Sequence, residues 1–299
     1  MDSKQLTCLH THTEYCDGEG TIEDYCAAAA EKGLSAIGFS AHAPVAWDSD
    51  WHLPMERFAE YCAMVNAAKK KWMGRLRVYL GLEADYVEGE ATPGQWDREK
   101  YGLDYVIGSV HYVPTPKGAL LTVDGSRESF QELVYDHFAG NAAEVARVYF
   151  DCVEKMTLEG GFDILGHFDL VKKNNRDRVF FSFDDPVYQK AVARTALFVA
   201  QAQKIDGFAV EVNTGAIARE TYPDTYPSAA ILRHLSGVPF IITTDAHHPD
   251  HLGTGYDRAI ANMREAGCGE SAFFEGHGTD GKPRWSFAPL ATNSEQHQP

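Results

Sequence analysis

Long apolar runs are missing from this 299-residue chain. None reaches the ~18 residues that a helix needs to cross a bilayer, so no membrane span is expected. The opening residues MDSKQLTCLH contain no basic stretch followed by an apolar one, which argues against a secretory signal. The six cysteines (Cys8, Cys16, Cys26, Cys62, Cys152 and Cys268) form no CxxC pair. They read as reduced, mostly buried thiols of a cytoplasmic protein. Basic charge is scarce too: 27 Lys and Arg face 43 Asp and Glu, a formal net charge of −16. Nothing basic clusters along the chain, which argues against nucleic acid as the usual partner. The densest basic run, AKKKW at 68–72, sits in a helical pattern and reads as a solvated helix face. Internal repeats, low-complexity segments and Pro-, Gly- or Ser-rich linkers are also absent. Residues 1–299 therefore read as one domain, with a body over about 6–268 and a polar C-terminal extension, 269–299.

What is present is an alternation of short apolar runs with longer amphipathic ones. Strands are expected at 6–9, 34–40, 78–84, 105–110, 162–166, 208–213 and 239–244. Helices are expected at 21–32, 54–73, 127–159, 185–205, 227–236 and 256–266. Thr21 with Asp24 reads as a capped helix start and Gly33 as a stop. Asp184 or Asp185 before Pro186 reads as another start. Strand then helix, about seven times over, implies a parallel sheet with helical crossovers. RWSFAPL at 284–290 reads as a late edge strand, and ATNSEQHQP as a frayed tail.

Metal-type ligands gather at the strand ends. On a strand, residues i and i+2 share a face, so Cys8, His10 and His12 point the same way if the first strand runs that far. Asp245 and His247 form a second such pair after the last strand. Between them fall His42, Glu83, His111, His167, Glu211 and Asn213, each at or just past a strand end. The C-terminal ends of barrel strands are where such enzymes build their sites. A single strand-end histidine is more often structural, but this many at corresponding ends implies a metal centre. Imidazoles mixed with carboxylates suit Zn, Mn or Fe rather than Ca or Mg. Cys16 is the nearest thiol, with no strand-end position.

In order, HTHTEYCDG, AHAP, GLEADY, GSVHYV, LGHFDL, EVNT and TTDAHHP resemble the polymerase and histidinol phosphatase (PHP) metal-dependent hydrolases. The likeness covers roughly 6–268. LLTVDGS at 120–126, LGHFDLVKKN and EVNTGAIARETYPDTYPS are similar to the histidinol-phosphatase branch. The resemblance implies an α/β fold, a distorted seven-stranded (β/α)7 TIM-like barrel. It also implies three divalent ions. His10, His12, Glu83 and Asp245 would hold the first. Glu83 would bridge to a second, held with His111 and His167. Asp17, His42 and His247 would hold the third. Where the branch often has NTSGLRK this chain has NTGAIAR, so Arg219 matches the family's basic position only approximately.

The expected chemistry is hydrolysis of a phosphate monoester, L-histidinol phosphate for this branch, by a hydroxide bridging two ions. Ions lower the pKa of a bound water toward about 7 and offset the dianion's charge. Arg219, Lys172 and Arg176 are candidates to grip the phosphate, Arg as a bidentate fork and Lys as a point charge. The leaving alkoxide needs a proton, for which Asp17 and His247 are both candidates. Asp17 sits on the turn CDGEG, where it either reaches the third ion or caps the helix that follows. Trp47, Trp51 and His52, in the loop HAPVAWDSDWHLPMERF at 42–58, either line the pocket or pack on their own neighbours. His248 reads as a supporting residue, and His137, His234, His251, His277 and His297 as structural or surface residues. Other phosphoesterases of the same superfamily (a phosphodiesterase or nuclease, a protein-tyrosine phosphatase) are the main alternatives. An amidohydrolase is disfavoured by Glu83 at the bridging position and by seven rather than eight strands. A non-enzymatic metal-binding module would favour a degenerate ligand set, and none of the nine ligands is missing.

Overall fold

The computed structural model describes residues 6–290; the expected tail with His297 and the first five residues lie outside them. In chain order the elements are β1 (Thr7–Cys8), α1 (Ile22–Glu31), β2 (Ala36–His42), α2 (Phe58–Lys71), β3 (Arg77–Asp85), α3 (Arg98–Tyr101), β4 (Tyr105–Ser109), β5 (Tyr112–Pro114), β6 (Leu120–Thr122), α4 (Arg127–Glu132), α5 (Ala142–Glu159), β7 (Ile164–Leu165), α6 (Pro186–Asp206), β8 (Ala209–Asn213), α7 (Gly215–Ala218), α8 (Ala229–Leu232), β9 (Phe240–Thr243), α9 (Tyr256–Glu265), β10 (Glu270–His277) and β11 (Pro283–Pro289). Seven strands pair in parallel, in the order β1-β2-β3-β4-β7-β8-β9. The ring closes through a parallel bridge between Thr11 and Ala246. There His12 N donates to Ala246 O at 2.9 Å and Ala246 N to His10 O at 3.2 Å. This is the expected (β/α)7 barrel. No helix among the described residues is long and apolar enough to cross a membrane.

Side-chain alternation divides the barrel into an outer and an inner core. Leu80, Leu82 and Ala84 of β3, with Ile37, Phe39 and Ala41 of β2, pack outward against the helices. Ala36, Tyr79, Tyr105, Ile107, Ile164, Ala209 and Ile241 point inward at the lower, N-terminal half. Tyr105 lies across this interior and its hydroxyl donates to Leu9 O. Its ring takes the space that side chains on Gly38 and Gly81 would occupy, because a Cβ at either would collide with it. The upper half of the same inward rows carries His42, Glu83, Asp85, Glu211 and Asp245.

Helix boundaries follow local chemistry. Thr21 and Asp24 form a capping box, with Asp24 N donating to Thr21 Oγ1 and Thr21 N to Asp24 Oδ2. Asp185 caps α6, whose first residue is Pro186.

Several expectations need correction. Residues 127–159 are not one helix: a π turn spans Leu133–His137, and Ala139 and Gly140 then adopt positive φ before Asn141 caps α5. The expected helix at 227–236 shrinks to α8 and a 3₁₀ turn. Cys8 does not share a face with His10 and His12. β1 ends at Cys8, whose thiol lies in the outer core beside Thr244 Oγ1 at 3.0 Å, and pairing resumes only at Thr11. Within the extension, RWSFAPL is one arm of an antiparallel hairpin, β10–β11, and not a lone edge strand.

That hairpin seals the bottom of the barrel. Phe274 is buried against Tyr79 and Tyr105, and Tyr79 Oη donates to Phe274 O at 3.0 Å. His277 Nε2 meets the buried Asp163 at 2.8 Å, and Arg98 reaches the same carboxylate at 3.1 Å. Replacing Phe274 by alanine should cost about 3–5 kcal/mol, the usual loss for a buried ring. Chemical denaturation checks this, and metal content at low temperature should stay unchanged because the centre lies at the other end.

Candidate metal centre

All nine expected ligands converge at the C-terminal mouth of the barrel. Glu83, fully buried on β3, stands at the middle. Its Oε2 lies 3.0 Å from His42 Nδ1, 3.2 Å from His10 Nε2 and 3.4 Å from His12 Nε2. Its Oε1 lies 2.9 Å from His167 Nε2 and 3.4 Å from His111 Nε2. Asp245 Oδ1 approaches His12 Nε2 at 3.2 Å and His10 Nε2 at 3.6 Å. Asp17 Oδ2 lies 3.2 Å from His247 Nε2, and its Oδ1 3.6 Å from His42 Nε2 and 3.7 Å from His12 Nδ1.

The chain places these groups by specific backbone devices. Asp17 rides a turn that folds back on the first histidine pair, and a Cβ at Gly18 would collide with the His12 carbonyl, so glycine is required there. Asp17 accepts no bond from the helix that follows; Thr21 caps α1 instead. Asp245 follows β9 with φ 45°, a left-handed conformation that aspartate tolerates better than most residues and that turns its carboxylate toward His10 and His12.

The donor set fits divalent cations. His10 Nε2, His12 Nε2 and His42 Nδ1 are buried and have no hydrogen-bond partner, yet all three aim at one carboxylate oxygen. Buried polar atoms are nearly always paired, so three orphans at one point imply a shared partner. Spacings near 3 Å are those of donors around a common ion with bonds of roughly 2.0–2.2 Å. Four groupings bring their donor atoms within 4.8 Å of one another: His12, Asp17, His42 and His247; His10, His12 and Glu83; Glu83, His111 and His167; and His42, Asp85 and His111. The last is better understood as support, because Asp85 is already committed to His111 through the ring's other nitrogen.

Protein groups alone leave the centre electrostatically divided. Burial pulls the His10 ring down, but Glu211, Glu83 and Asp245 outweigh it and hold it well above the usual imidazole value. Burial likewise opposes His111, which Asp85 and Glu83 push up to about 10. His12 goes the other way, to about 3, through burial and the neighbouring His247 and His42 rings. Burial raises Glu83, yet His10, His42 and His111 hold it well below the carboxylate range. Burial also raises Asp245, which Arg219 and His10 bring well down.

Two carboxylates that strand position alone does not separate from ligands act behind them. Glu211 Oε2 lies 2.9 Å from His10 Nδ1 and 2.8 Å from Thr243 Oγ1, while Asn213 Nδ2 donates to its Oε1 at 2.9 Å. Asp85 Oδ1 lies 2.7 Å from His111 Nδ1, and its Oδ2 2.7 Å from His52 Nε2. His52 Nδ1 continues to Ser49 Oγ at 2.6 Å. A histidine whose far nitrogen is held by a carboxylate presents its near nitrogen to a metal in a fixed tautomer. Glu211 is among the strand-end groups singled out in the sequence; Asp85 is not, and its i+2 spacing from Glu83 on the inward face of β3 is the signal that could have marked it.

A cavity of about 320 Å³ opens above the centre. Arg219 lines it. Its Nη1 donates to Asp245 O at 2.9 Å and meets His247 Nδ1 at 2.6 Å, and its Nη2 donates to Asp245 Oδ2 at 3.1 Å. Trp51 also lines the cavity, its indole edge-on to His42 with ring centres 4.6 Å apart. His52 sits behind it, and Trp47 packs on Tyr112.

The other two candidate phosphate groups are not brought here. Lys172 is buried outside the cavity wall, its Nζ 2.6 Å from Asp169 Oδ2 and donating to Thr225 O at 2.8 Å. Arg176 is exposed and, among the described residues, donates to Glu220 O at 3.4 Å. The lysine that does line the cavity is its neighbour, Lys173. Leu170–Lys172 form a 3₁₀ turn, which decides which of the two adjacent lysines faces inward.

Residues 9–215 match the PHP domain family. The chain is 34% identical to the "Probable histidinol-phosphatase" of Deinococcus radiodurans over 86% of this chain and 92% of that one. Two solved structures share the fold. One, from Listeria monocytogenes and named for a histidinol phosphatase, aligns with a TM-score of 0.70 at 22% identity, over 84% of this chain and 98% of its own. The other, histidinol phosphate phosphatase from Lactococcus lactis in complex with Zn, L-histidinol and phosphate, aligns with a TM-score of 0.67 at 18% identity, over 94% and 99%.

Two outcomes follow from the geometry. Glu83→Gln keeps the shape of the side chain and removes the charge on which five imidazoles converge. Elemental analysis should show loss of bound metal together with most phosphatase activity; a fully loaded variant with near-normal turnover would contradict its central place. Asp85→Asn leaves every ligand intact but frees the His111 ring, so metal affinity should fall roughly 10–100-fold. Competition with a chelator measures that shift.

Proposed function

The chain belongs to the PHP domain family, and from that membership we propose that it is a metal-dependent phosphomonoesterase whose substrate is L-histidinol phosphate, hydrolysed to L-histidinol and phosphate at a centre of three ions. One observation carries the reading: both oxygens of the buried Glu83 are surrounded by imidazole nitrogens, two on one and three on the other. The ligand sets we infer are His10, His12, Glu83 and Asp245; Glu83, His111 and His167; and Asp17, His42 and His247. Zn, Mn and Fe suit them. When bound, such cations offset the charge of a phosphoryl dianion and lower the pKa of water toward neutrality.

The chain's own groups complete the site. Three of Arg219's five N–H donors are engaged by Asp245 and His247, which orients the guanidinium and leaves two for a phosphoryl oxygen. Lys173 adds a second cation on the cavity wall. Trp51 and Leu170 exclude water beside the reacting group. Asp17 and His247 are the most exposed of the nine ligands, with 31% and 20% of their side chains accessible, so a proton for the leaving alkoxide comes most readily through that pair. The six free cysteines agree with a cytoplasmic setting, and the whole chain is taken as a single domain.

Purified protein loaded with manganese or zinc should hydrolyse L-histidinol phosphate in preference to a phosphodiester, phosphotyrosine and a cyclic amide. Preference for any of the other three would overturn the assignment. Arg219→Ala, assayed at saturating metal because the same guanidinium also holds Asp245 and His247, should raise KM by roughly 10- to 100-fold, the loss of one charge-assisted contact worth about 1.5–3 kcal/mol. An unchanged KM would assign the phosphate to Lys173.

A further inference from the structure

The segment LLTVDGS contributes Thr122, Asp124 and Gly125 to the cavity wall. Four carboxylates line the cavity. Three of them, Asp17, Glu83 and Asp245, are turned onto imidazoles of the metal centre. Asp124 is not. Its carboxylate accepts no hydrogen bond among the described residues, and the nearest cation is Lys173 Nζ, 3.7 Å from Oδ2. Its backbone, in contrast, is held from three sides. Val123, fully buried, donates its N–H to His111 O at 2.9 Å. Lys173 Nζ donates to Asp124 O, and Asn174 Nδ2 to Gly125 O at 3.1 Å. Ser126 then caps α4. The result is a fixed main chain carrying a carboxylate with spare acceptor capacity, beside the metal centre and outside its ligand sets.

A phosphate monoester gives such a group nothing to bind, because the phosphoryl end is anionic and belongs with the ions, Arg219 and Lys173. A carboxylate on the same wall would repel the ester unless the alcohol part carries positive charge. An amino alcohol does carry it, on its ammonium group. We propose that Asp124 is the specificity-determining residue of this centre, its carboxylate receiving the cationic amino group of the leaving alcohol. The inference rests on the histidinol phosphate reading above and adds the contact that distinguishes this substrate from other monoesters. Asp124 and Lys173 then divide the zwitterion between them, carboxylate to ammonium and ammonium to phosphoryl oxygen.

The test compares L-histidinol phosphate with its deamino analogue, imidazolylpropyl phosphate, on the full chain loaded with manganese. Wild-type protein should prefer the amino ester, and Asp124→Asn should cut that preference, as a ratio of kcat/KM values, roughly tenfold or more, the loss of one charge-assisted hydrogen bond. Binding of L-histidinol, measured by calorimetry on the metal-loaded protein, should weaken by a similar factor. Asp124→Glu, which keeps the charge, should keep most of the preference. Thermal midpoint and metal content confirm that each variant is folded and loaded. A preference that survives Asp124→Asn, or an equal loss on both esters, would overturn the assignment and make Asp124 an anchor for Lys173. Wild-type protein that hydrolyses both esters equally would overturn the substrate reading itself, and this inference with it.

Discussion

Removing a carboxylate from water costs several kcal/mol unless other charge replaces the solvent, and Glu83 is the place where this chain accepts that cost. Strand β2 and the segments that follow β1, β4 and β7 deliver five imidazoles to it. The rings around it do not respond alike: burial and the neighbouring carboxylates leave His10 and His111 raised, while burial and neighbouring rings lower His12. The mixed set of imidazoles and carboxylates is one that suits metal ions. The barrel thus holds in register a buried cluster of donor groups drawn from distant parts of the chain.

Holding them needs a second tier. Glu211 fixes the His10 ring and Asp85 the His111 ring, and Asp85 passes the connection through His52 to Ser49. The loop that carries Trp51 is therefore tied to His111 by a chain of hydrogen bonds, buried except at Ser49. Changes in that loop reach the centre through Asp85, so loop shape and ligand orientation are one variable.

The fold and the convergence of the nine candidate side chains were largely legible in the sequence because both rest on local properties. Alternation along a strand places Glu83 inside, and the order of motifs places His10 beside Asp245. What was not legible depended on turns. Lys172 and Lys173 are adjacent, and the 3₁₀ turn that ends at Lys172 decides that the second faces the cavity. Residues 127–159 keep a helical pattern through a break made by two positive-φ residues, Ala139 and Gly140. Cys8 keeps the spacing of His10 and His12 but not their direction, because the strand ends between them. Glu211 sits where a ligand would, and only the barrel's curvature decides that it meets a ring nitrogen facing away from Glu83.

Tyr105 and Phe274 have a further consequence. Together they plug the lower half of the barrel, with Gly38 and Gly81 cleared to admit the tyrosine ring. The centre thus communicates with solvent through its upper mouth, and traffic through one opening is ordered by depth. The end of a ligand seated on the ions is the last to leave, and whatever lies nearer the rim departs before it. For a phosphate ester this makes the alcohol the first product released and inorganic phosphate the second.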